Sequence, residues 1–350
     1  MEIRKIIAQT MFCLYAAAAL MMGQAMAQEA PSLQIQYDLR FGGLDVPEEQ
    51  MFAAPIDMAV GPEGRVYVLD SRDNNIKVFA SDGRFLTTFS REGSGPGELS
   101  RPWTLAFING RLHVVDTGNG RIQVFSSEGS YQRSYQMAAD LGVGMSFAPD
   151  GRLFINTRGF RSPKLIRVFD TQGQRQQEFG DVQGDSYEFF DFASIKNDIK
   201  KGRIPNIFKN DVHPVVGPDG TVWAVHRGLP LILRYSQEEE LLSRHELDIK
   251  EYAAIHGSFL EENKKIENEP SRFFPLRYVT DVVVDALGDL YVLLNLAAPM
   301  TVLVFAQDDG SLLKTLVGPA DRISRINFDQ QGRLYALGAD SHFIYRFSLD

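Results

Sequence analysis

The sequence is almost free of cysteine, since Cys13 is the only one among 350 residues. Cys13 lies inside an apolar run, residues 11–22, which follows a positively charged start and precedes the small-residue stretch 25–27. This pattern is typical of a secretory signal peptide, residues 1–27, cleaved after Ala27. An uncleaved anchor is the alternative, but the run is short for a bilayer span. The mature chain would have no thiol, disulfide or cysteine metal ligand.

An excess of positive charge is also missing. The chain carries 36 Lys and Arg against 45 Asp and Glu, a net charge of -9. Loss of Glu2, Arg4 and Lys5 with the signal would leave 34 basic and 44 acidic side chains. A mildly acidic chain without a basic tract argues against nucleic acid as a partner. From the signal peptide we expect a secreted or periplasmic protein without a transmembrane span after signal cleavage, and we expect it to be a monomer.

Local catalytic motifs are missing as well. The sequence contains no nucleophile elbow, no paired-histidine zinc helix and no EF-hand loop. The glycine-rich stretch 93–97 lacks the lysine and the following helix of a phosphate-binding loop, so a flexible linker is the better interpretation. Any functional site must therefore be assembled from residues that are distant in sequence.

What the sequence does contain is a repeat. Residues 55–79 and 102–125 share three short apolar strands separated by turns, and a fourth strand follows each. Such a sheet cannot bury both faces alone, so copies must stack. Six copies align on a turn glycine: Gly64, Gly110, Gly151, Gly220, Gly288 and Gly332. We predict an all-β fold, a single six-bladed β-propeller domain spanning residues 28–350.

The two ends of the chain predict how the ring closes. The sixth copy stops one strand short, at the C-terminus. Residues 35–43 resemble the fourth strand of the first copy, residues 85–89. We expect the N-terminal strand to complete the last blade, because a closed ring removes the unpaired sheet edges that promote aggregation.

Two blade-to-blade intervals are too long, and the extra residues fall at about 183–208 and 249–276. Both insertions come between the last strand of one blade and the first strand of the next, which places them on one face. In the second insertion, Tyr252, Ile255 and Phe259 recur at helical spacing and predict a short amphipathic helix. Loops added to one face of a repeat array are the usual place for binding.

Aromatic side chains are concentrated in and beside these insertions. They are Tyr187, Phe189, Phe190, Phe192, Phe208, Phe273, Phe274 and Tyr278. A basic run, Lys196, Lys200, Lys201 and Arg203, follows in the first insertion. Either the aromatic residues seat the insertions on the propeller, which we favour, or they line an apolar or sugar-stacking pocket under a lid.

The segments Val66–Phe79 and Leu112–Phe125 resemble the NHL repeat, with Asp116, Asn119 and Arg121 at the motif positions of the second. The other four copies keep the apolar skeleton but lose the Asp-x-x-Asn turn. The resemblance implies a secreted bacterial six-bladed propeller of NHL-like type. Metal-dependent amidating lyases with NHL-type propellers are a precedent for enzymatic activity in this group.

The repeat also places polar residues around the central channel. Counting back from the turn glycines gives one position per blade at the start of the innermost strand, which should encircle one channel mouth. These positions are Asp57, Thr104, Gly144, His213, Asp281 and Arg325. Nearby, on the same face, should lie the second-to-third strand connections, with Asp70, Asp116, Thr157, His226, Asn295 and Gly338. Our candidate ligand-binding residues are Asp57, Thr104, His213, His226, Asp281 and Arg325.

Two interpretations of this ring stay open. His213 and His226 with Asp57 and Asp281 are candidate ligands for a divalent metal, zinc or calcium, and Arg325 could clamp a carboxylate or phosphate. Alternatively, the two aspartates accept backbone N–H bonds and pair with Arg325. Asp70 and Asp116 are interpreted as turn-forming residues.

The function that these patterns favour is a binding or scaffold module, which recognises a ligand or a protein partner at the channel mouth and insertion face. The alternative is a metal-dependent hydrolase or lyase with its site in the channel. A catalytic zinc usually has three protein ligands, and the channel offers no third histidine.

Overall fold

A computed structural model describes residues 30–137, 144–189 and 191–349 of the chain. The predicted signal peptide with Cys13, and Phe190 of the first insertion, lie outside the described residues. One compact unit covers Ser32–Asp350, and of the remaining unit, Met1–Pro31, only Ala30 and Pro31 are described.

The described residues form six sheets arranged as the blades of a propeller, as the sequence predicted. The strands are β1 (Ser32–Gln34), β2 (Leu39–Gly42), β3 (Pro55–Val60), β4 (Val66–Asp70), β5 (Asn75–Phe79), β6 (Phe85–Phe89), β7 (Pro102–Ile108), β8 (Arg111–Asp116), β9 (Arg121–Ser126), β10 (Tyr131–Gln136), β11 (Met145–Phe147), β12 (Leu153–Asn156), β13 (Lys164–Phe169), β14 (Arg175–Asp181), β15 (Val212–Val216), β16 (Val222–His226), β17 (Leu231–Tyr235), β18 (Leu241–Glu246), β19 (Val279–Val284), β20 (Leu290–Leu294), β21 (Thr301–Phe305), β22 (Leu312–Val317), β23 (Ile323–Phe328), β24 (Leu334–Gly338) and β25 (Phe343–Phe347). Blades 1 to 4 are β3–β6, β7–β10, β11–β14 and β15–β18, blade 5 is β19–β22 with β1, and blade 6 is β23–β25 with β2.

Short turns connect neighbouring strands of a blade, and glycine makes the tightest of them possible. Gly83, between β5 and β6, has φ +84°, a left-handed conformation that is unfavourable for residues with a side chain. A Cβ at this position would also meet the side chain of Phe41 at 2.9 Å. This turn therefore requires glycine both for its conformation and for the close approach of the N-terminal strand.

The N-terminal strand closes the ring as expected. β2 pairs antiparallel with β25, with Leu39 opposite Arg346 and Gly42 opposite Phe343. Arg346 Nε donates to Asp38 Oδ1 at 2.8 Å, which ties the two chain ends together outside the ladder. The first and last segments of the propeller therefore stabilise each other.

One further strand was not predicted. β1 pairs in parallel with β22, with Ser32 opposite Thr315, so blade 5 has five strands and its outer edge is covered. Its three residues carry no alternating apolar pattern, and all three are exposed. Backbone pairing rather than side-chain burial positions this strand, so the sequence pattern has no signal for it.

The core lies between the blades. In the described part of the chain, six clusters of buried side chains are present, and each draws on two neighbouring blades. Leu69 of blade 1 packs with Leu105 of blade 2, for example, and Tyr335 of blade 6 packs with Val68 of blade 1. Burying a side chain of this size contributes about 1.5–3 kcal/mol, so each interface stabilises both of its blades.

The two insertions are helical at the predicted places. Within the described residues the α-helices are α1 (Phe192–Lys200), α2 (Asn206–Lys209) and α3 (Lys250–Lys265). The buried face of α3 carries Tyr252, Ile255 and Phe259, as the spacing predicted, and it packs into the interface of blades 4 and 5. The Lys196 ammonium in α1 donates to the carbonyl of Ile266 at 2.8 Å and so holds the end of the second insertion.

The aromatic residues mainly seat the insertions. Phe208 lies 5.5 Å from Phe273 and 6.0 Å from Phe259, and Tyr252 stacks on Tyr278 at 4.5 Å, measured between ring centroids. Phe189 is the exception, because it is 76% exposed. No helix within the described residues is both long and apolar enough to cross a membrane.

Candidate functional site

The six ring positions line one cavity of about 460 Å³ at the channel mouth. The insertion side contributes Phe274, Pro275 and Arg277 to the same cavity. The structure thus brings together one residue from each blade and the segment that ends the second insertion. Of the candidate ligand-binding residues, His226 alone does not line this cavity.

Irregular strand entries aim the ring side chains. In four blades the pairing of the first and second strands shifts by one residue just before the ring position. These shifts fall at Pro55/Asp57, Pro102/Thr104, Val279/Asp281 and Ile323/Arg325. A β-bulge bends the strand and redirects a side chain, and here it brings the ring residue to the mouth.

The two ring aspartates connect neighbouring blades. Asp57 Oδ2 accepts from the backbone N–H of Leu105 in blade 2 at 3.0 Å, and also from the Thr104 hydroxyl. Asp281 Oδ2 accepts from the N–H of Ile326 in blade 6 at 2.9 Å. Both carboxylates therefore support the ring by binding the backbone of the next blade. This agrees with the interpretation of the sequence in which the two aspartates accept backbone N–H bonds.

Arg325 lies between these carboxylates. Its Nε donates to Asp57 Oδ1 at 3.2 Å and its Nη1 to the carbonyl of Ser324 at 2.8 Å. Burial alone would lower the pKa of Arg325, but Asp281 and Asp57 outweigh it and raise that pKa. Burial raises the pKa of Asp281 to about 6, against the opposing effects of Arg325 and of the Ile326 N–H. Asp281 is therefore mostly ionised at neutral pH and protonated in mild acid.

His213 is an unprotonated base at the mouth. Burial, followed by the positive charges of Arg227 and Arg325, lowers its pKa to about 3. Its Nδ1 is 3.9 Å from Asp281 Oδ1 and has no hydrogen-bond partner within the described residues. His213 thus offers a neutral ring nitrogen for a hydrogen bond to a bound ligand.

His226 faces away from His213. In blade 4, His213 lies opposite Val225 and His226 lies opposite Val212. Cross-strand partners share a face, and successive residues alternate, so the two imidazoles are on opposite faces of the sheet. His226 is 1% exposed, and its Nδ1 donates to the Lys209 carbonyl at 2.6 Å. The two histidines therefore do not approach each other at the mouth, because the sheet lies between them.

The donor set does not fit a metal. Among the described residues no group of three or more His, Cys, Asp or Glu side chains is placed to hold one ion. Asp57 and Asp281 already bind backbone amides, and His226 is directed to another interface. These residues therefore give no support to zinc or calcium in the channel.

Sequence reasoning missed the arginines and the tryptophan of the mouth. Arg227, Arg277, Arg322 and Trp103 all line the cavity, and Trp103 is 39% exposed. A signal for one of them existed: Arg158 and Arg227 occupy equivalent positions in adjacent blades, each directly after a predicted connection residue, Thr157 or His226. The repeat that placed the ring could thus have placed these guanidinium groups one residue further on.

The opposite end of the channel is different in character. A second cavity, also of about 460 Å³, lies along the innermost strands beyond the ring. Asp57 and Asp281 line this cavity as well as the mouth, and Met58, Phe107 and Val283 contribute apolar side chains to its wall. Within the described residues no arginine lines the second cavity, so of the two cavities only the mouth is lined by guanidinium groups.

Asp70 and Asp116 have the structural roles expected of them. Asp70 accepts from the backbone N–H groups of Ala53 and Ala54 at 2.6 and 3.0 Å, and from those of Arg72 and Asp73 in the following turn. Asp116 accepts from Ser100 N at 2.7 Å. Each holds the entry of its blade against the second strand.

Comparisons with known proteins agree on the architecture. Residues 54–169 match a protein family described as a 6-bladed beta-propeller. This family match covers the first two blades and part of the third. A separate comparison with curated proteins found no match.

Solved structures extend the likeness to most of the chain. A streptogramin B lyase is 14% identical, with a TM-score of 0.52 over 88% of this chain and 96% of that one. Regucalcin from Agrobacterium tumefaciens, described as a calcium-binding protein, is 13% identical, with a TM-score of 0.51 over 90% and 95%. A gluconolactonase from Xanthomonas campestris is 15% identical, with a TM-score of 0.50 over 84% and 87%. Identities this low show a shared fold and leave function open: the chain has the six-bladed β-propeller fold.

Proposed function

We propose that this chain is an exported, NHL-like β-propeller that binds a ligand at the channel mouth beneath its insertions. The observation that carries the proposal is the convergence of all six ring positions and the insertion residues Phe274, Pro275 and Arg277 on one cavity. A cavity of this size, with a few polar groups on a rigid frame, suits a small molecule or the tip of a partner. Export rests on the N-terminal sequence pattern alone, and the NHL-like type on the motif residues of the first two blades.

A binding role is favoured over catalysis because most ring side chains already have structural partners. Asp57, Asp281 and Arg325 each make hydrogen bonds that support the ring. A side chain held in this way gives a stable, preformed surface, which lowers the cost of binding. Reaction chemistry would have to compete with these bonds.

An acid–base enzyme is the second candidate, and one observation favours it. Asp281, with a pKa raised to about 6 by burial, lies 3.9 Å from the neutral His213 in the same cavity. Paired groups with perturbed pKa values are common at catalytic sites. The likeness to a lyase and a lactonase is compatible with this candidate but does not favour it over binding.

The chain contains its own reporter for the test. It has two tryptophans: Trp103 lines the mouth, whereas Trp223 is fully buried between blades. A ligand in the mouth should change the emission of Trp103 and leave that of Trp223 as an internal reference. Titration with a library of small metabolites, grouped by charge, would identify binders, and the signal should vanish in Trp103→Phe.

A variant that fills the mouth then locates the binding. Thr280 lines the cavity, so Thr280→Phe should weaken the binding of any metabolite in the mouth at least tenfold. Thr88→Phe is the matched control, because Thr88 is exposed on the outer strand of blade 1. If both variants bind the metabolites found by the screen equally well, the ligand is not in the mouth and the proposal fails. Conversion of a metabolite that stops in His213→Phe and Asp281→Asn would favour the enzyme.

A further inference from the structure

A cluster of three arginines beside the mouth is only partly neutralised, by a single carboxylate. Arg158 Nε lies 3.7 Å from Asp211 Oδ1, and the Nε atoms of Arg227 and Arg277 lie 3.9 and 3.6 Å from Asp211 Oδ2. Hydrogen bonds between arginine and carboxylate are about 2.7–2.9 Å long, so these are charge contacts without hydrogen bonds. One carboxylate thus serves three guanidinium groups.

Three blades build this cluster. Asp211 directly precedes β15 and Arg227 directly follows β16, and the N–H of Arg227 donates to the Asp211 carbonyl at 2.7 Å. Arg158 follows β12 in blade 3, and Arg277 precedes β19 in blade 5. The cluster is therefore fixed to the ends of innermost and second strands, which are rigid parts of the propeller.

The Nε atom of each arginine in the cluster is buried without a hydrogen-bond partner among the described residues. Oδ1 of Asp211 likewise has no hydrogen-bond partner within the described part of the chain. Arg227 is 8% exposed, lines the cavity, and has its pKa lowered to about 10 by burial, an effect that Asp211 opposes and the neighbouring arginines reinforce. Leaving buried polar groups unpaired is costly, so such a group in a cavity wall calls for a partner from outside.

The mouth is also positive although the protein is acidic. Five arginines lie in or beside the cavity, against four aspartates that line it or pair with these arginines, so one positive charge remains in excess. The arginines are Arg158, Arg227, Arg277, Arg322 and Arg325, and the aspartates are Asp57, Asp211, Asp281 and Asp340. The whole chain carries a net charge of -9. A cleft of one sign in a protein of the other concentrates ligands of opposite charge.

We infer that the ligand carries an oxyanion, a carboxylate or a phosphate group, which binds to Arg227 and Arg277. This inference rests on the proposed function, because it names the chemistry of a ligand in the same cavity. Planar guanidinium groups suit such oxyanions, since they donate two parallel hydrogen bonds. Arg325 is a weaker candidate for this role, because Asp57 already accepts from its Nε. The neutral His213 can bind an adjacent polar group of the ligand.

The test uses inorganic phosphate and succinate with the chain from Gln28 onwards, in chloride buffer of constant ionic strength. Thermal unfolding and Trp103 emission are followed as each anion is added. Wild-type protein should be stabilised by at least one of the two, in a saturable manner. Which anion binds more tightly shows whether the natural group is a phosphate or a carboxylate.

Variants connect the effect to the cluster. Arg277→Gln should weaken anion binding about tenfold or more, and Arg277→Lys less so, because lysine keeps the charge but not the paired donors. Arg175→Gln is the control, since Arg175 is exposed and contacts Glu178 on the outer strand of blade 3. Arg277 is partly exposed, so its replacement should not prevent folding. Arg227→Gln is a second variant, which tests the other arginine proposed to bind the anion.

The outcomes separate this inference from the proposed function. Equal anion binding by wild type and Arg277→Gln, or no saturable effect of either anion, would overturn the inference. If wild type binds a neutral or cationic metabolite and Thr280→Phe does not, the proposed function stands and the inference of an oxyanion ligand is wrong. If Thr280→Phe excludes nothing that binds, the proposed function fails too.

Discussion

Two buried aspartates, Asp116 and Asp211, show how differently one residue type is used in the same fold. Asp116 accepts from Ser100 N at 2.7 Å, from Asn119 at 2.8 Å and from Arg121 Nε at 2.9 Å. The guanidinium of Arg121 is itself completed by the carbonyls of Gly95 and Glu98, at 2.8 and 2.9 Å.

Asp211 has no such network. It lies 3.6 to 3.9 Å from three arginines, and its Oδ1 has no hydrogen-bond partner in the described part of the chain. A complete network rigidifies a blade, whereas an incomplete one, in a cavity wall, is a surface prepared for a ligand. The difference separates a residue that supports the fold from a residue that prepares a site.

The largest expected effect comes from breaking the complete network. Asp116→Ala would leave Arg121 buried without its carboxylate, and we expect a loss of about 3–5 kcal/mol in the free energy of unfolding. Chemical denaturation in urea measures it. Added phosphate should not restore the loss, because the Arg121 site is closed by protein groups. Restoration by phosphate would show that this network, too, is open to anions.

A smaller effect is expected from the titration of Asp281 and of three buried histidines. The pKa of Asp281 is raised from 3.8 to about 6, so its protonated form is favoured in the folded state, and its contribution to stability is lost as pH rises from about 4 through 6. His113, His213 and His226 act in the opposite sense, because burial lowers their pKa values from 6.5 to about 4, 3 and 4. Their contribution is complete above pH 6.5 and is lost as pH falls.

Asp281→Asn removes the carboxyl whose protonation stabilises the fold in mild acid and so opposes the effect of the histidines. Between pH 6 and pH 4 the free energy of unfolding should therefore fall by about 2–3 kcal/mol more than in wild type. Denaturation curves at four pH values measure this slope. The exposed Asp150→Asn is a suitable control and should follow the wild-type curve. Parallel curves for wild type and Asp281→Asn would mean that Asp281 is not held in the protonated form in mild acid.

The smallest effect should come from the incomplete cluster. Asp211→Ala leaves three arginines without their shared carboxylate, and we expect a loss of about 1–2 kcal/mol in chloride buffer, since the cluster has few hydrogen bonds to lose. Saturating phosphate or succinate should restore the stability, as binding to the folded state does by mass action. Thermal unfolding with and without the anion distinguishes this behaviour from that of Asp116→Ala. A loss that neither anion reverses would place Asp211 with the structural aspartates.

Much of this molecule could be predicted because its sequence repeats. The glycine spacing predicted six blades, the short sixth copy predicted closure by residues 35–43, and the helical spacing of Tyr252, Ile255 and Phe259 predicted α3. The same count placed the ring residues, and the structure finds all six around one cavity. Each of these features follows from a local sequence pattern or from the repetition of that pattern around the ring.

Other features depend on contacts that break the repeat. Three exposed residues form β1 through backbone pairing, so no side-chain pattern could announce it. His226 is directed away from His213 by the pairing register of one pair of strands. Asp211 and its arginines come from three blades and from linkers whose lengths differ.

The sequence by itself therefore determined the architecture, because short-range periodicity and blade stacking leave one way to bury the apolar faces. The tertiary structure decided which polar residues are satisfied and which are left open. Whether a buried charge has a hydrogen-bond partner depends on differences of less than 1 Å in the positions of the neighbouring groups, which only the folded chain sets. Arg121 Nε lies 2.9 Å from Asp116 Oδ2 and forms a hydrogen bond, whereas Arg277 Nε lies 3.6 Å from Asp211 Oδ2 and does not.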